Sequence, residues 1–492
     1  MGIKRYYATK DNTITNAYKS NLSTRGISGN MGQSDILEIF HIYGQANSSS
    51  SENSRILIQF NTTDIASDRT DGVIPASGSV DFILTMYDAE HTQTTPKDFT
   101  LVASAVSRSW DEGLGLDMED YTDIDASNWL TASDDGSVVR WTTDGGDYTT
   151  GSDSAQLEYT FSQSFDSGFE NLELDVSHLV EDWLASTLTN YGFGLQLTST
   201  LESSTDSYYT KMFFARGSQY FHKRPILEAR WDSSKKDNRK SFYLSSSLVP
   251  AADNLMKLYL YNVVRGNLTN IPGIGTDGML VSIYSGNLAN TLPSGSKLGL
   301  AVGGGTVAAS DINTTASYVE TGIYSCSFAY TSSGITGTIF DVWHSGGVEY
   351  HTGSGFPVKT FDSADYNFDQ SYVSKITNIR SVYSRNEEAR FRLYTRKKDW
   401  SPTIYNIASK DIEYSIIEDS YFKITRVSDN LEVIPLGTGT MNHTMLSYDA
   451  SGSYFDLKMN LLDSDEIYEI SLSYVINGSY VEQPEKFKFR VE

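Results

Sequence analysis

The stretch DVSHLVEDWLAS, Asp175 to Ser186, constrains the fold more than any other in this 492-residue chain. Asp175 is a helix-capping residue type, and Val176, Leu179, Val180, Trp183 and Leu184 then recur at i, i+3, i+4, i+7 and i+8, one apolar face of a helix. Glu181 and Asp182 fall outside that face and are expected in water. Elsewhere the apolar residues alternate. In SRILIQF, Ile56, Ile58 and Phe60 share a face, and in DFILTMY, Phe82, Leu84 and Met86 do the same. One amphipathic helix inside a long β pattern predicts an all-β fold in which the helix closes one end of a core.

Composition agrees with strands and turns. Aromatics make up 12% of the chain, with 32 Tyr, and long runs of strong helix formers are missing. The length exceeds what one hydrophobic core organises, at about 100–200 residues per domain. We read a first β domain over 1–232, a polar linker at 233–240 with the sequence SSKKDNRK inside it, a β-sandwich over 241–368 and a last β unit over 369–492. The final strand, EKFKFRVE, alternates Phe487, Phe489 and Val491 with Lys486, Lys488 and Arg490. In the third segment, TGIYSCSFAY sets Tyr324 two residues before Cys326, the spacing of a tyrosine corner in immunoglobulin-like domains.

Charge narrows the partners. The chain carries 38 basic and 62 acidic residues, a net charge of -24 at pH 7, and such a field repels nucleic-acid backbones and anionic lipid surfaces. Neither nucleic acid nor membrane is an expected partner. With one cysteine, Cys326, the chain cannot form an internal disulfide framework or a Cys-based zinc site. The start, MGIKRYYATKDN, has basic residues without a following apolar region, so no secretory signal is expected, and no apolar run approaches the roughly 18 residues of a membrane span.

Candidate sites are few. GIGTDG, Gly273 to Gly278, satisfies G-x-G-x-x-G, but strand-like MLVSIYSG follows it where a nucleotide fold needs a helix, so it reads as a turn. The seven histidines lack metal-ligand spacing, and no G-x-S-x-G, P-loop or H-E-x-x-H occurs, so no catalytic residue is assigned. Between Trp110 and Tyr148 the strand pattern gives way to acidic, Gly-containing loops. Asp117, Glu119, Asp120, Asp123 and Asp125 are the candidate ligands for a structural calcium ion, against the reading of a solvated loop. The loop lacks the sixth-position Gly of an EF-hand, where Asn128 stands. Trp110, Trp129, Trp141 and Tyr148 are the candidates for stacking on sugar rings, against the reading of core anchors. Arg380, Arg385, Arg390, Arg392, Arg396, Lys397 and Lys398 form a basic run on an acidic background. Of these, Arg385, Arg396, Lys397 and Lys398 are the candidates for a subunit interface, against a solvated strand face.

In the first domain, SRILIQFNTTDI, SWDEG, DVSHLVEDWLAS, NYGFGLQLTSTLES, KMFFARG and KRPILEARW occur in an order that resembles the DNRLRE-type jelly-roll domain, related to carbohydrate-binding modules. The last hundred residues or so, with RFRLYTRKKDWSPTIYNI, LSYDASGSYFDLKMNLL and EQPEKFKFRVE, resemble the C-terminal region of virion structural proteins of marine T4-like tailed phages. The first resemblance implies a jelly-roll β-sandwich, and the strand spacing of the two later segments, with the Tyr324 arrangement, reads as two immunoglobulin-like β-sandwiches after it. The implied role is a non-enzymatic virion protein, assembled in the host cytoplasm on the tail, neck or capsid surface. Its implied partners are other virion proteins and further copies of itself in a symmetric assembly. The alternative is a receptor protein of the particle that recognises host surface glycans through the first domain.

Overall fold

The computed structural model describes residues 1–92, 97–134, 136–149, 159–287, 292–302, 313–330, 337–359, 371–401, 404 and 414–492. The architecture is all-β, and the chain divides into two compact units. Gly2 to Asp232 with Gly439 to His443 make the first, and Ser233 to Thr438 with Thr444 to Glu492 and Met1 make the second. The boundary expected near Asp369 lies outside the described residues. No helix among the described residues is long and apolar enough to cross a membrane.

In the first unit one long strand, Gly2–Thr15, serves two sheets. Its first half pairs with Ile226–Trp231, its second half with Ser51–Phe60, and the register shifts between Ala8 and Lys10. A bulge of this kind bends a strand so that it turns a sandwich corner. One sheet continues from Ser51–Phe60 to Phe193–Leu197, Phe99–Ala105 and Thr160–Phe165, and the other from Ile226–Trp231 to Asp81–Met86 and Leu172–Asp175. Ile56, Ile58, Phe60, Phe82, Leu84 and Met86, the residues picked out by alternation, all lie in the core between them.

The predicted helix is Ser177–Leu184, here α2, preceded in the chain by α1, Thr62–Thr70. In α2, Leu179, Val180 and Trp183 are buried with Val176 just ahead of them, and Trp183 meets Phe193 edge-on at 4.9 Å. Asp175 is one residue further out than a cap, yet its carboxylate accepts the Ser177 N–H at 3.0 Å. Glu181 and Asp182 are not left to solvent. Arg69 of α1 grips Glu181 through two bonds of 2.6 and 2.8 Å, and Tyr159 Oη donates to Asp182 at 2.7 Å. α1 escapes sequence reading because only Ile65 of it is buried, so it shows no apolar period. Its start is marked instead by Asn61, which accepts the Thr63 N–H at 3.0 Å.

In the second unit, a seven-stranded antiparallel sheet encloses Leu258, Val281, Tyr324, Cys326, Phe328 and Trp343. Burial pushes the Cys326 thiol up, away from reactivity. The chain then forms a four-stranded and a five-stranded sheet, the β-sandwich layering expected of it. Rings from both sheets fill the space between, with Phe422 and Phe455 stacked at 4.1 Å and Phe391 5.9 Å from Phe489. Residues 233–240, whose composition reads as a linker, are a bonded strap. Asp237 and Asn238 are buried, Arg239 donates to Asp341 at 2.8 Å and to the Tyr259 carbonyl at 2.9 Å, and Asn238 donates to Tyr448 Oη at 3.1 Å.

Tyr324 replaces a local tyrosine corner with a long-range tie. Its hydroxyl donates to the Gly275 carbonyl at 2.7 Å and accepts the Ile271 N–H at 3.1 Å. Both belong to the GIGTDG turn and the residues leading into it, where Gly273 and Gly275 have φ of +83° and +61°. Tyr324→Phe is therefore expected to cost the second unit about 1–2 kcal/mol by leaving a buried N–H and carbonyl unmatched, read by chemical denaturation. An unchanged midpoint would show the turn to be held by other contacts.

Candidate functional site

The loops from Trp110 to Tyr148 form a second, smaller core. Trp110, Trp129 and Trp141 pack with Ile14, Leu57, Val106 and Ala132, and Tyr148 lies half-buried against them. Strand Ser51–Phe60 thus has two apolar faces here. Leu57, between Ile56 and Ile58, points into this smaller core. The indole N–H groups are spent internally, Trp110 on the Tyr191 carbonyl at 2.9 Å and Trp141 on the Asn128 carbonyl at 2.8 Å. The three tryptophans expected to stack on sugars are core residues, exposed by 1%, 7% and 4%, and offer no free ring face.

Polar side chains pin the same loops. Asn12 donates to the Ser127 carbonyl at 3.0 Å and Asn30 donates to the carbonyls of Glu112 and Ser127 at 2.7 and 2.8 Å. Asn128, standing where an EF-hand needs Gly, is buried and accepts the N–H groups of Leu130 and Thr131. The acidic residues do not converge as calcium ligands. Among the described residues no three His, Cys, Asp or Glu side chains are grouped to hold a metal ion. Asp117 instead accepts the N–H groups of Glu119, Asp120 and Tyr121, Asp123 those of Leu114 and Asp125, and Glu119 that of Ser20. Desolvation works against the charged form of Asp117, but the three N–H bonds outweigh it and lower its pKa. Short acidic side chains close turns here, while Asp120 and Asp125 stay exposed.

Above the small core opens a polar cleft of about 450 Å³, lined by Arg55, Ser107, Arg108, Asp147, Tyr148 and Gln196 with the threonines at 142 and 143. Of the four predicted aromatics, Tyr148 alone among the described residues lines it. Arg55 forms two bonds to Glu202, at 2.6 and 2.9 Å, and its guanidinium lies over the rings of Trp129 and Tyr148 at 5.3 and 5.6 Å. Arg108 donates to Asp147 at 2.8 Å. Desolvation opposes the Asp147 charge, the Thr142 and Thr143 N–H groups and then Arg108 favour it, and the net pKa is lowered. Burial pushes the Tyr148 hydroxyl up to about 12, so it remains a donor, and it bonds the Gly145 carbonyl at 2.7 Å. The buried Oε1 of Gln196 has no hydrogen-bond partner among the described residues. The cleft thus presents two ion-paired guanidinium groups with serine and threonine hydroxyls.

The cleft is built around glycines. A Cβ on Gly194 would stand 1.9 Å from the Tyr148 ring, and Gly145 and Gly146 adopt φ of +92° and +110°. Gly194→Ala must displace Tyr148 and is expected to cost about 1–3 kcal/mol, relieved by adding Tyr148→Ala. Additive effects of the two changes in a denaturation cycle would refute the contact.

The basic run is dispersed by the fold. Arg380 pairs with Glu387, Arg390 with Asp456 through bonds of 2.7 and 2.9 Å, and Arg392 with Asp449 at 2.8 Å. Of the four interface candidates, Arg385 precedes the start of strand Glu388–Lys397 and Arg396, Lys397 and Lys398 are at its far end. A ten-residue strand separates them by about 30 Å. They are not one patch. Lys397 and Lys398 are exposed, with no ion pair among the described residues, and Arg396 lies over the Trp400 ring at 5.9 Å.

No protein-family model matches the chain, and no curated protein does. Among solved structures 50 chains match. One of them, titled "Anomalous substructure of Titin-A168169", is 8% identical and aligns over 51% of this chain and 95% of its own at a TM-score of 0.15. So low a score carries no weight for fold or function.

Proposed function

We propose that the chain is a non-enzymatic structural component of a tailed-phage particle that assembles with other virion proteins and further copies of itself through its β domains. The resemblance of its last hundred residues or so to virion structural proteins of marine T4-like phages motivates the reading. The observation that carries it is where the chemistry-bearing side chains go. The small-core tryptophans, several loop carboxylates and Arg380, Arg390 and Arg392 of the basic run are committed to internal packing and pairing, while large apolar side chains such as Leu114, Tyr121 and Leu248 are presented on the surface. Leu114 and Tyr121 lie together with Leu116 and Ile124, and contiguous exposed apolar groups of this kind mark contact surfaces. Cryo-EM of particles and mass spectrometry of separated heads and tails test the reading, with the chain expected at fixed stoichiometry in one fraction. Its absence from purified particles would refute it.

A second reading, a receptor protein binding host surface glycans through the first unit, is favoured by the polar cleft around Arg108, Asp147 and Tyr148. A glycan array probed with the full chain should then show binding that Arg108→Ala abolishes. Binding that survives this change would place sugar recognition elsewhere.

A further inference from the structure

The loop from Gly113 to Asp125 displays what a loop ordinarily hides. Leu114 is 77% exposed, Tyr121 66%, Ile124 60% and Leu116 49%, and together they line a shallow depression rimmed by Asp120, Asp123 and Asp125. The loop is held from within. Asn30 accepts the Gly115 N–H at 3.0 Å, the Leu116 N–H reaches the Tyr121 carbonyl at 2.8 Å, and Asp117 and Asp123 take up further N–H groups. Its backbone is already ordered, so a partner that covers the apolar side chains meets little entropic cost.

We propose that this depression receives the Arg396–Lys398 turn and Trp400 of a second copy of the chain. The proposal rests on the particle reading in taking the chain to act in many copies. Charge chooses the occupant. At a net charge of -24, two copies repel over most of their surfaces, and approach is favoured only where a cation meets an acidic rim. Lys397 and Lys398 are exposed and in no ion pair among the described residues, Arg396 beside them lies over the Trp400 ring, and with the exposed Asp399 the segment stays net cationic. That combination of cations and an aromatic ring complements aliphatic side chains flanked by the exposed carboxylates of Asp120 and Asp125. The two surfaces differ, so the contact is head-to-tail and closes into a ring or extends as a filament.

Sedimentation equilibrium of the full chain at low and high salt tests this. Wild type is expected to self-associate with an affinity that falls as salt rises. Leu114→Ser with Tyr121→Ser, Lys397→Glu with Lys398→Glu, and Asp120→Lys with Asp125→Lys should each weaken association by at least about tenfold. All these positions are exposed, and circular dichroism checks that each variant is folded. Combining the two charge reversals should restore association, which simple misfolding would not do. Monomeric wild type at low salt, association indifferent to the variants, or no restoration in the combination would each overturn the proposal. Incorporation of the same variants into particles separates the two ideas. A chain that enters particles yet fails these tests refutes the contact alone, and one that self-associates as expected yet is absent from particles refutes the particle reading alone.

Discussion

Replacing Glu228 by Ala is expected to destabilise the first unit by about 3–5 kcal/mol, because it strands two cations in a desolvated site. Glu228 is 2% exposed at its side chain and accepts from Arg5 at 2.7 Å and from Arg230 at 2.6 Å, both guanidinium groups being buried as well. Arg5 is directly opposite Glu228 across the strand pair Gly2–Thr15 and Ile226–Trp231, and Arg230 is two residues along on the same face. Desolvation alone would raise the carboxyl's pKa, but the charges of Arg5 and Arg230 outweigh it and hold the group at about 2. Since the folded value lies below the unfolded one of about 4.3, the folded protein binds fewer protons. The stabilisation is fully present above that unfolded value and is lost as pH falls toward about 2. Glu228→Gln should therefore be destabilised at neutral pH, with the gap from wild type closing as pH drops through this window. Tryptophan fluorescence in denaturant follows the unit, which holds Trp110, Trp129, Trp141, Trp183 and Trp231 of the seven tryptophans. A gap that stayed constant down to pH 3 would contradict the assignment.

Trp110→Ala is expected to cost a further class of about 3–5 kcal/mol, by a different mechanism. The side chain is 1% exposed at the centre of the small core, and its removal opens a cavity beneath the cleft. It also strips the Tyr191 carbonyl of its indole donor. Lys10 Nζ, which donates to the Trp110 carbonyl at 3.1 Å and lies 5.7 Å from its ring, would lose the ring contact as well. Hydrogen exchange should show the Trp110–Tyr148 loops opening ahead of the main sandwich, since the two cores share only the strands between them. Trp110→Phe keeps most of the volume and should recover more than half of the loss. If Trp110→Ala left stability unchanged while abolishing glycan binding, the residue would be a ligand contact and the core assignment would be wrong.

Sequence reading reached the main core because that core follows regular periods. Ile56, Ile58 and Phe60, with Val176, Leu179, Val180 and Trp183 of the helix face, are buried as their spacing requires, as are Phe489 and Val491 of the second unit's last strand, while Leu184 and Phe487 are half-buried. Leu57 and Ile83 are buried on the opposite faces, which alternation alone assigns to solvent. What covers Leu57 is a loop nearly a hundred residues away in places, with no period of its own. The same limit applies to polar residues. Acidic loop carboxylates look alike in sequence whether they gather on a cation or turn back to bond their own backbone, and the choice depends on φ and ψ at each neighbour.

The cleft shows the division most sharply. The sequence contains Arg55, Arg108, Asp147, Tyr148 and Gln196, but they are spread over 142 positions and no spacing rule joins them. The basic run shows the converse, since seven residues close in sequence are spread along and beyond a strand, and three of them, Arg380, Arg390 and Arg392, are paired off by Glu387, Asp456 and Asp449. Local periodicity by itself determined the all-β class, the helix at Ser177–Leu184 and which faces of the strands form the principal core, because burial of a strand or helix face is written in nearest-neighbour spacing. Only the tertiary structure decided that the tryptophans are packed rather than presented, that the loop acids cap turns and that Leu114 and Tyr121 are displayed. Those outcomes depend on which distant segment reaches each side chain, and it is long-range contact, not local pattern, that sets desolvation and partner.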